Sequence, residues 1–344
     1  MKACVLHGIG DLRYEEVADP VAQPDEVLLR IRASGICGSD IARVFEKGTY
    51  HFPTIPGHEF TGEIVAAGDA SQQHLVGKRT AVFPMLPCFT CAACELGEYA
   101  QCGNYDYYGS RRDGGFAEYL AVKTWNLVPI PDDVSYEEAA LCEPAAVAIH
   151  ALSQAGVNPG ETVAVFGAGP IGLMLGKLAL AMGAGTVILT DIDERKLAFA
   201  QNIGFTHCIN VGKTDAPAEI RALTGGTGAQ VVVEGTGAAQ ALRGCVNSAA
   251  DFGRVVLMGN PAGDMGLSQK DYWTVLRKQL TLKGTWNSSY TRTRNDWKTA
   301  LALMPRLDVS ALVTHRFPLR DCEEAFALIR DRKEPAVKIL FTNP

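Results

Sequence analysis

The sequence predicts an α/β chain in which a doubly wound parallel sheet is joined to a second, mostly β domain. Two observations carry this expectation. From about residue 147 apolar strands alternate with alanine-rich helices, in ETVAVFG, PIGLMLGKLALAMG, TVILTD and ERKLAFAQNIG, which is a βαβ succession. Before it, short β-branched runs such as EVLLRIRAS and TGEIVAAG lie between turn glycines and prolines, as in a mostly β domain. A chain of 344 residues also exceeds what one hydrophobic core usually organises, so two domains are expected.

The succession continues through AQVVVEG, a helix around Ala238 to Ser248, GRVVLMG and QLTLKGT, for a sheet of about six parallel strands. From about Ser288 the pattern returns to a helix, a short strand near THRFPL, another helix and a terminal VKILF strand that folds back onto the first domain. The expected division is therefore 1–146 with 288–344 for one domain and 147–287 for the other. The sequence contains no internal repeat and no low-complexity segment.

Formal net charge is −6 with a pI near 5.7 and no block of like charges, which argues against nucleic acid or an anionic membrane surface as partner. The N-terminal MKACVLHGIGDLRYEE meets acidic residues before any long apolar run, and no stretch reaches the ~18 apolar residues of a membrane span. A cytoplasmic protein is expected. Cys4, Cys142, Cys208, Cys245 and Cys322 are scattered singly, as buried thiols in a reducing compartment would be.

Four other cysteines are not scattered. In PLPCFTCAACELGEYAQCG, Cys88, Cys91 and Cys94 form a C-x-x-C-x-x-C run closed by Cys102, so one loop at 84–103 can wrap four thiolates around a structural zinc. Core thiols or two disulfides are the alternative, and adjacent C-x-x-C pairs favour metal over both.

The second domain carries a nucleotide fingerprint. GAGPIG places Gly167, Gly169 and Gly172, with Pro170 and Ile171 between them, directly after the strand TVAVF and directly before a helix. The first glycine permits a tight turn, the second lets the backbone approach a pyrophosphate, and the third lets helix and strand pack closely. Asp191, ending the next strand, can accept hydrogen bonds from both ribose hydroxyls and repel a 2′-phosphate, which favours NAD over NADP. Arg195 nearby weakens that preference, and a helix-capping role is the alternative for Asp191. The domain is expected to be a Rossmann dinucleotide-binding domain.

A further set of candidates is spread along the chain: Cys37 in GICGSD, His58 and Glu59 in PGHEFTG, and Glu143 in LCEPAAVAIH. Taken singly, such residues are more often structural than catalytic. Their order, with the GHE-x-x-G signature, the four-cysteine lobe and the glycine fingerprint, resembles the zinc-containing medium-chain alcohol and polyol dehydrogenases over essentially the whole chain. The resemblance implies a GroES-like catalytic domain beside the Rossmann domain, NAD, two zinc ions per chain, and a homodimer or homotetramer. It also implies that Cys37, His58 and Glu143 are the catalytic zinc ligands, that Cys88, Cys91, Cys94 and Cys102 are the structural ones, and that Glu59 is an acid able to exchange onto the metal. Cys142 is the rival third ligand, and the Glu143–Pro144 dipeptide follows the polyol branch. A zinc with three protein ligands keeps a position where a substrate hydroxyl can bind and ionise. With one thiolate, one imidazole and one carboxylate that centre is formally neutral, so the ionised hydroxyl keeps its negative charge beside the positive nicotinamide.

VFEKGTYHFPTIPGHEF, YDYYGSRRDGGFAEY and GTWNSSY are similar to the hexitol-phosphate and sorbitol branch of that family, implying a sugar alcohol as substrate, galactitol 1-phosphate or a related hexitol phosphate. Unphosphorylated sorbitol, iditol or xylitol is the alternative. Arg43, Lys47, Arg111 and Arg112 are the cations available for a phosphate, and Trp286 is the one tryptophan placed as a candidate pocket residue. Ser39 is positioned in sequence to accept the substrate proton. Where many family members continue the relay through a histidine this chain has Ala42, so water, the ribose hydroxyls or His51 must serve. A zinc-free quinone reductase of the same fold and a non-catalytic dinucleotide binder are the readings from other classes; intact Cys37 and His58 speak against both.

Overall fold

The computed structural model describes residues 1–331 and 335–343. It divides into two compact units, Met1–Glu143 with Ser289–Pro344, and Pro144–Ser288.

In the second unit six parallel strands run in the order His207–Asn210, Thr186–Asp191, Thr162–Phe166, Ala229–Glu234, Ala249–Leu257, Thr281–Gly284. Strands covered on both faces lose the in–out alternation of a half-exposed sheet, and Val163, Ala164 and Val165 are all fully buried. The chain reverses direction across the sheet at Thr162–Phe166, which pairs with Thr186–Asp191 on one side and Ala229–Glu234 on the other. Ligands of such sheets bind at this switch point, beyond the strand C-termini. The strand His207–Asn210 escapes the sequence pattern, being short with only Ile209 buried. Four residues with a single buried position cannot declare a period.

In the first unit, strands Val313–Phe317, Lys338–Thr342, Glu26–Gly35, Glu59–Ala67, Arg79–Val82 and Leu127–Pro129 neighbour one another in that order, with Tyr119–Lys123 also paired to Glu26–Gly35. The terminal strand does fold back: Leu340 pairs with Gly35, Phe341 with Ser34 and Thr342 with Ala33, all antiparallel. On its other side Gly35 pairs with Glu59. Val27, Leu29, Ile31, Phe60, Ile64 and Val122 form a core on one part of this sheet, and Phe116, Phe326 and Phe341 pack edge-on or stacked in another.

The glycine loop is sterically closed to side chains at one point. A Cβ on Gly172 would lie 1.8 Å from the Gly167 carbonyl oxygen, which is backbone and has no room to yield. Gly172→Ala is therefore expected to destabilise the Rossmann unit by about 1–3 kcal/mol, the usual range for overpacking. A thermal melt of the variant indistinguishable from that of the unsubstituted protein would contradict this packing.

Candidate metal and nucleotide sites

The four-cysteine loop closes on itself. Cys91 begins the short helix Ala92–Glu95, which carries Cys94, and Cys102 follows the turn Tyr99–Gln101. The Sγ atoms stand 3.5 Å apart for Cys91–Cys94 and Cys88–Cys102, and 3.9 Å apart for Cys88–Cys94 and Cys91–Cys102. Zinc–sulfur bonds of about 2.3 Å in a tetrahedron set sulfur–sulfur edges of about 3.8 Å, so these thiols fit a closed structural zinc. All ten cysteines are free of disulfides. Hydrogen bonds from the Thr90 amide and hydroxyl bring the Cys88 thiol down to about 6, and the Cys94 amide lowers that of Cys91, both favouring the thiolate a metal needs. Burial pushes Cys94 the other way, to about 12.

The second cluster is built by strand ends. Cys37 follows the strand Glu26–Gly35 and opens the short helix Gly38–Ala42; its amide donates to Asp40 at 3.0 Å. His58 precedes the strand Glu59–Ala67. One donor atom from each of Cys37, His58 and Glu59 lies within 4.8 Å of the others. Gly35 makes room for this, since a Cβ there would sit 2.3 Å from Glu59 Oε2.

Charges of alternating sign surround the cluster. Asp40, fully buried, lies 3.3 Å from His58 Nδ1, which leaves Nε2 as the nitrogen for a metal. Arg43 Nη1 donates to Asp40 at 2.9 Å and to Ser39 Oγ at 2.8 Å. Glu59 Oε2 accepts from Lys338 Nζ at 2.5 Å, a pair almost wholly buried. Burial alone would lower the His58 pKa, but Asp40 and then Cys37 outweigh it and hold the ring well above its ordinary value. Anions that hold a proton on a buried imidazole also suit a divalent cation in the proton's place.

Glu143, in the first turn of the helix Cys142–Ala155, falls outside the 4.8 Å group, but is buried and within electrostatic reach of it. Burial raises its carboxyl to about 7, with His58 pulling down and Glu59 pushing up. No hydrogen bond reaches that carboxyl among the described residues, so its chemistry fits a metal ligand. Its neighbour Cys142, the rival ligand, is fully buried and donates its thiol to the Trp297 carbonyl at 3.5 Å.

Sequence reasoning missed three residues here. Asp40 and Lys338 act on His58 and Glu59 as described, and the Tyr107 ring lies 5.8 Å from the His58 ring. Burial raises the Tyr107 phenol well above its ordinary value, and the Glu143 charge adds to this. The SD pair of GICGSD was a faint signal for Asp40; nothing local marks the other two.

His51, one of the relay candidates, has its Nδ1 facing the Pro53 carbonyl and Thr54 hydroxyl and its Nε2 the Arg111 carbonyl, all at 3.1 Å. Its ring is used in holding the loop. Of the four proposed phosphate cations, Arg43 is taken by Asp40 as above and Arg112 Nε pairs with Asp106 at 3.0 Å. Lys47 is exposed, and Arg111 lies between two tyrosine rings. Trp286 is 58% exposed just beyond the last Rossmann strand.

In the Rossmann unit, Gly167 takes a φ of +109°, and Gly169 begins the helix Pro170–Ala181, with Ile171 in its first turn, without a side-chain cap, leaving the first amides for an anion. Asp191 accepts from the Ala168 amide at 2.9 Å and the Asp193 amide at 3.0 Å, which fixes it over the loop. Arg195 pairs with Asp193, its Nη2 2.9 Å from Oδ2 and its Nε donating to Oδ1 at 3.2 Å. A cavity of about 710 Å³ opens beside Gly167, Asp191, Ile192 and Arg243, and these residues fit a dinucleotide.

Two family models match the chain, an alcohol dehydrogenase GroES-like domain over residues 23–132 and a zinc-binding dehydrogenase domain over 170–306. Galactitol 1-phosphate 5-dehydrogenase of Escherichia coli (strain K12) is 37% identical over 320 residues, 92% of each chain. Sorbitol dehydrogenase of Bacillus subtilis (strain 168) is 39% identical over 270 residues, 76% of each. The crystal structure of galactitol-1-phosphate dehydrogenase from Escherichia coli superposes with a TM-score of 0.93 at 35% identity, covering 100% of both chains. The chain belongs to the zinc-dependent medium-chain alcohol and polyol dehydrogenases. It is a zinc-dependent dehydrogenase, and solved structures similar to it over 99–100% of this chain include one bound to NADP and one complexed with NADH. No helix among the described residues is long and apolar enough to cross a membrane.

Glu143 gives this site a pH signature in zinc-free protein. Its folded pKa of about 7 lies above the ordinary 4.5, so its contribution to stability is complete below 4.5 and is lost as pH rises to about 7. Relative to Glu143→Gln, the zinc-free protein is expected to lose on the order of 3 kcal/mol across that window, and zinc should abolish the loss. A stability difference that stays flat with pH would count against a buried, cation-seeking carboxylate.

Proposed function

We propose that this enzyme oxidises a secondary alcohol of a hexitol phosphate, galactitol 1-phosphate or a close relative, to the keto sugar phosphate with reduction of NAD⁺. The observation that carries the chemistry is the cluster of half-buried Cys37 with buried His58 and Glu59, beside which the buried Glu143 makes no hydrogen bond among the described residues. Cys37, His58 and Glu143 hold the catalytic zinc, and Glu59, occupied by Lys338, is the acid that can exchange onto it. Cys88, Cys91, Cys94 and Cys102 hold the structural one. Zinc in the catalytic position supplies a Lewis acid that makes a substrate hydroxyl more acidic.

Ser39 takes the hydroxyl proton and passes its own to solvent. Arg43 donates to Ser39 Oγ at 2.8 Å, which orients the lone pairs and leaves the serine hydrogen free to move on. Bound NAD⁺ would supply the hydride acceptor, so that one C–H bond and one O–H bond of the carbinol would break as the carbonyl forms. Gly167, Gly169, Pro170, Ile171 and Gly172 cradle the pyrophosphate and Asp191 the ribose.

Similarity to galactitol 1-phosphate 5-dehydrogenase over 92% of each chain supports the phosphorylated substrate. Similarity to sorbitol dehydrogenase favours a second reading, an unphosphorylated polyol. A cytoplasmic location accords with the free cysteines, and a homo-oligomer is what the family resemblance implies. Initial rates of NAD⁺ reduction by the zinc-replete enzyme should show a kcat/KM for galactitol 1-phosphate at least about tenfold above those for galactitol, sorbitol and xylitol, as expected where a charge-assisted contact is lost. Equal or better rates with the free polyols would remove the phosphate.

A further inference from the structure

We propose that Arg111, clamped between Tyr50 and Tyr105, is the residue that reads the substrate's phosphate. This rests on the phosphorylated-polyol reading above.

The four candidate phosphate cations are not equivalent. Arg43 and Arg112 each already have a carboxylate, Asp40 and Asp106, so neither carries net charge to spare. Lys47 is an exposed charge on a flexible stem. Arg111 differs from all three. Its guanidinium carbon lies 4.0 Å from the centre of the Tyr50 ring and 4.5 Å from that of Tyr105, and no carboxylate among the described residues pairs with it.

Two aromatic faces hold the guanidinium by cation–π attraction while leaving its charge uncancelled. They also restrict the plane of the fork. Nε is buried without an acceptor, so the terminal nitrogens are the donors left for a partner from outside. The backbone is pinned as well: the Arg111 amide donates to the Tyr107 carbonyl at 3.0 Å, and its own carbonyl faces His51 Nε2 at 3.1 Å. A planar fork whose orientation is fixed in advance is the geometry for bidentate contact with a phosphate, because little rotamer freedom remains to be lost.

The clamp is also joined to the reacting end. The Tyr105 and Tyr107 rings touch at 6.2 Å between centroids, and Tyr107 touches His58 at 5.8 Å. Two tyrosine rings thus separate the guanidinium from the metal-side histidine. A polyol oxidised near one end and phosphorylated at the other has to span such an interval.

The test compares kcat/KM for galactitol 1-phosphate and galactitol in zinc-replete full-length enzyme, and the inhibition by inorganic phosphate, across Arg111→Gln, Arg111→Lys, Tyr50→Leu and Arg112→Gln. Arg111→Gln should cut the ratio of the two kcat/KM values about tenfold or more, chiefly through KM for the phosphate ester, and weaken inhibition by phosphate in parallel. Arg111→Lys keeps the charge without the fork and should fall between, and Arg112→Gln should keep the ratio. Tyr50 is 66% exposed, so Tyr50→Leu removes one side of the clamp without disturbing the core, and a several-fold fall in the same ratio is expected even if Arg111→Gln fails to fold. A preference retained in both Arg111→Gln and Tyr50→Leu, or a loss confined to KM for NAD⁺, overturns the assignment to Arg111 and leaves the phosphorylated substrate standing. An unsubstituted enzyme with no preference for the ester overturns both.

Discussion

Gly35 pairs with two strands at once, with Glu59 on one side and Leu340 on the other, and the catalytic cluster depends on that register. Cys37 lies just beyond Gly35, His58 just before Glu59, and Lys338 just before Leu340. Aligning the three strands therefore delivers a thiol, an imidazole and an ammonium group to one place from distant parts of the chain. The glycine is required because the Glu59 carboxylate occupies the position of its missing Cβ. Side chains alternate between faces along a strand, so a slip of one residue would turn Glu59 away from Lys338 and break the set.

Once assembled, the cluster is an arrangement of mostly buried charges in which Asp40 and Glu59 each have a cationic partner. Arg43 neutralises Asp40, and Lys338 neutralises Glu59. Burying an ionic group unpaired is costly, and each of these has its partner. Cys37 and Glu143 remain, beside an imidazole whose free nitrogen points away from Asp40. The same pairing bears on Glu59, which lies within ligand distance of Cys37 and His58: recruiting it to a metal would strand Lys338 without a counter-ion. The structural lobe solves its problem locally, with four thiols on one loop and amides that favour the thiolate at Cys88 and Cys91.

What the sequence disclosed follows the range of the interactions. The cysteine lobe and the glycine fingerprint are local, each within one loop or one strand–turn–helix, and spacing alone declares their chemistry. Cys37, His58 and Glu143 are far apart in sequence, and resemblance to a family, rather than spacing, joined them. Lys338 is hydrogen-bonded to a residue 279 positions away, and Tyr107 reaches His58 across a loop, so no local pattern could mark either. His51 shows the same limit from the other side: its sequence segment gave no sign that its ring nitrogens face the Pro53 and Arg111 carbonyls. The strand His207–Asn210 was illegible because only one of its residues is buried.

The central claim is that Glu143, and not Glu59, completes the catalytic metal site with Cys37 and His58. Elemental zinc analysis of the purified enzyme and of its Glu143→Gln and Glu59→Gln variants tests it most directly. The account predicts two zinc ions per chain in the unsubstituted protein, one in Glu143→Gln, and two in Glu59→Gln. Retention of both ions in Glu143→Gln, with loss of one in Glu59→Gln, would contradict it.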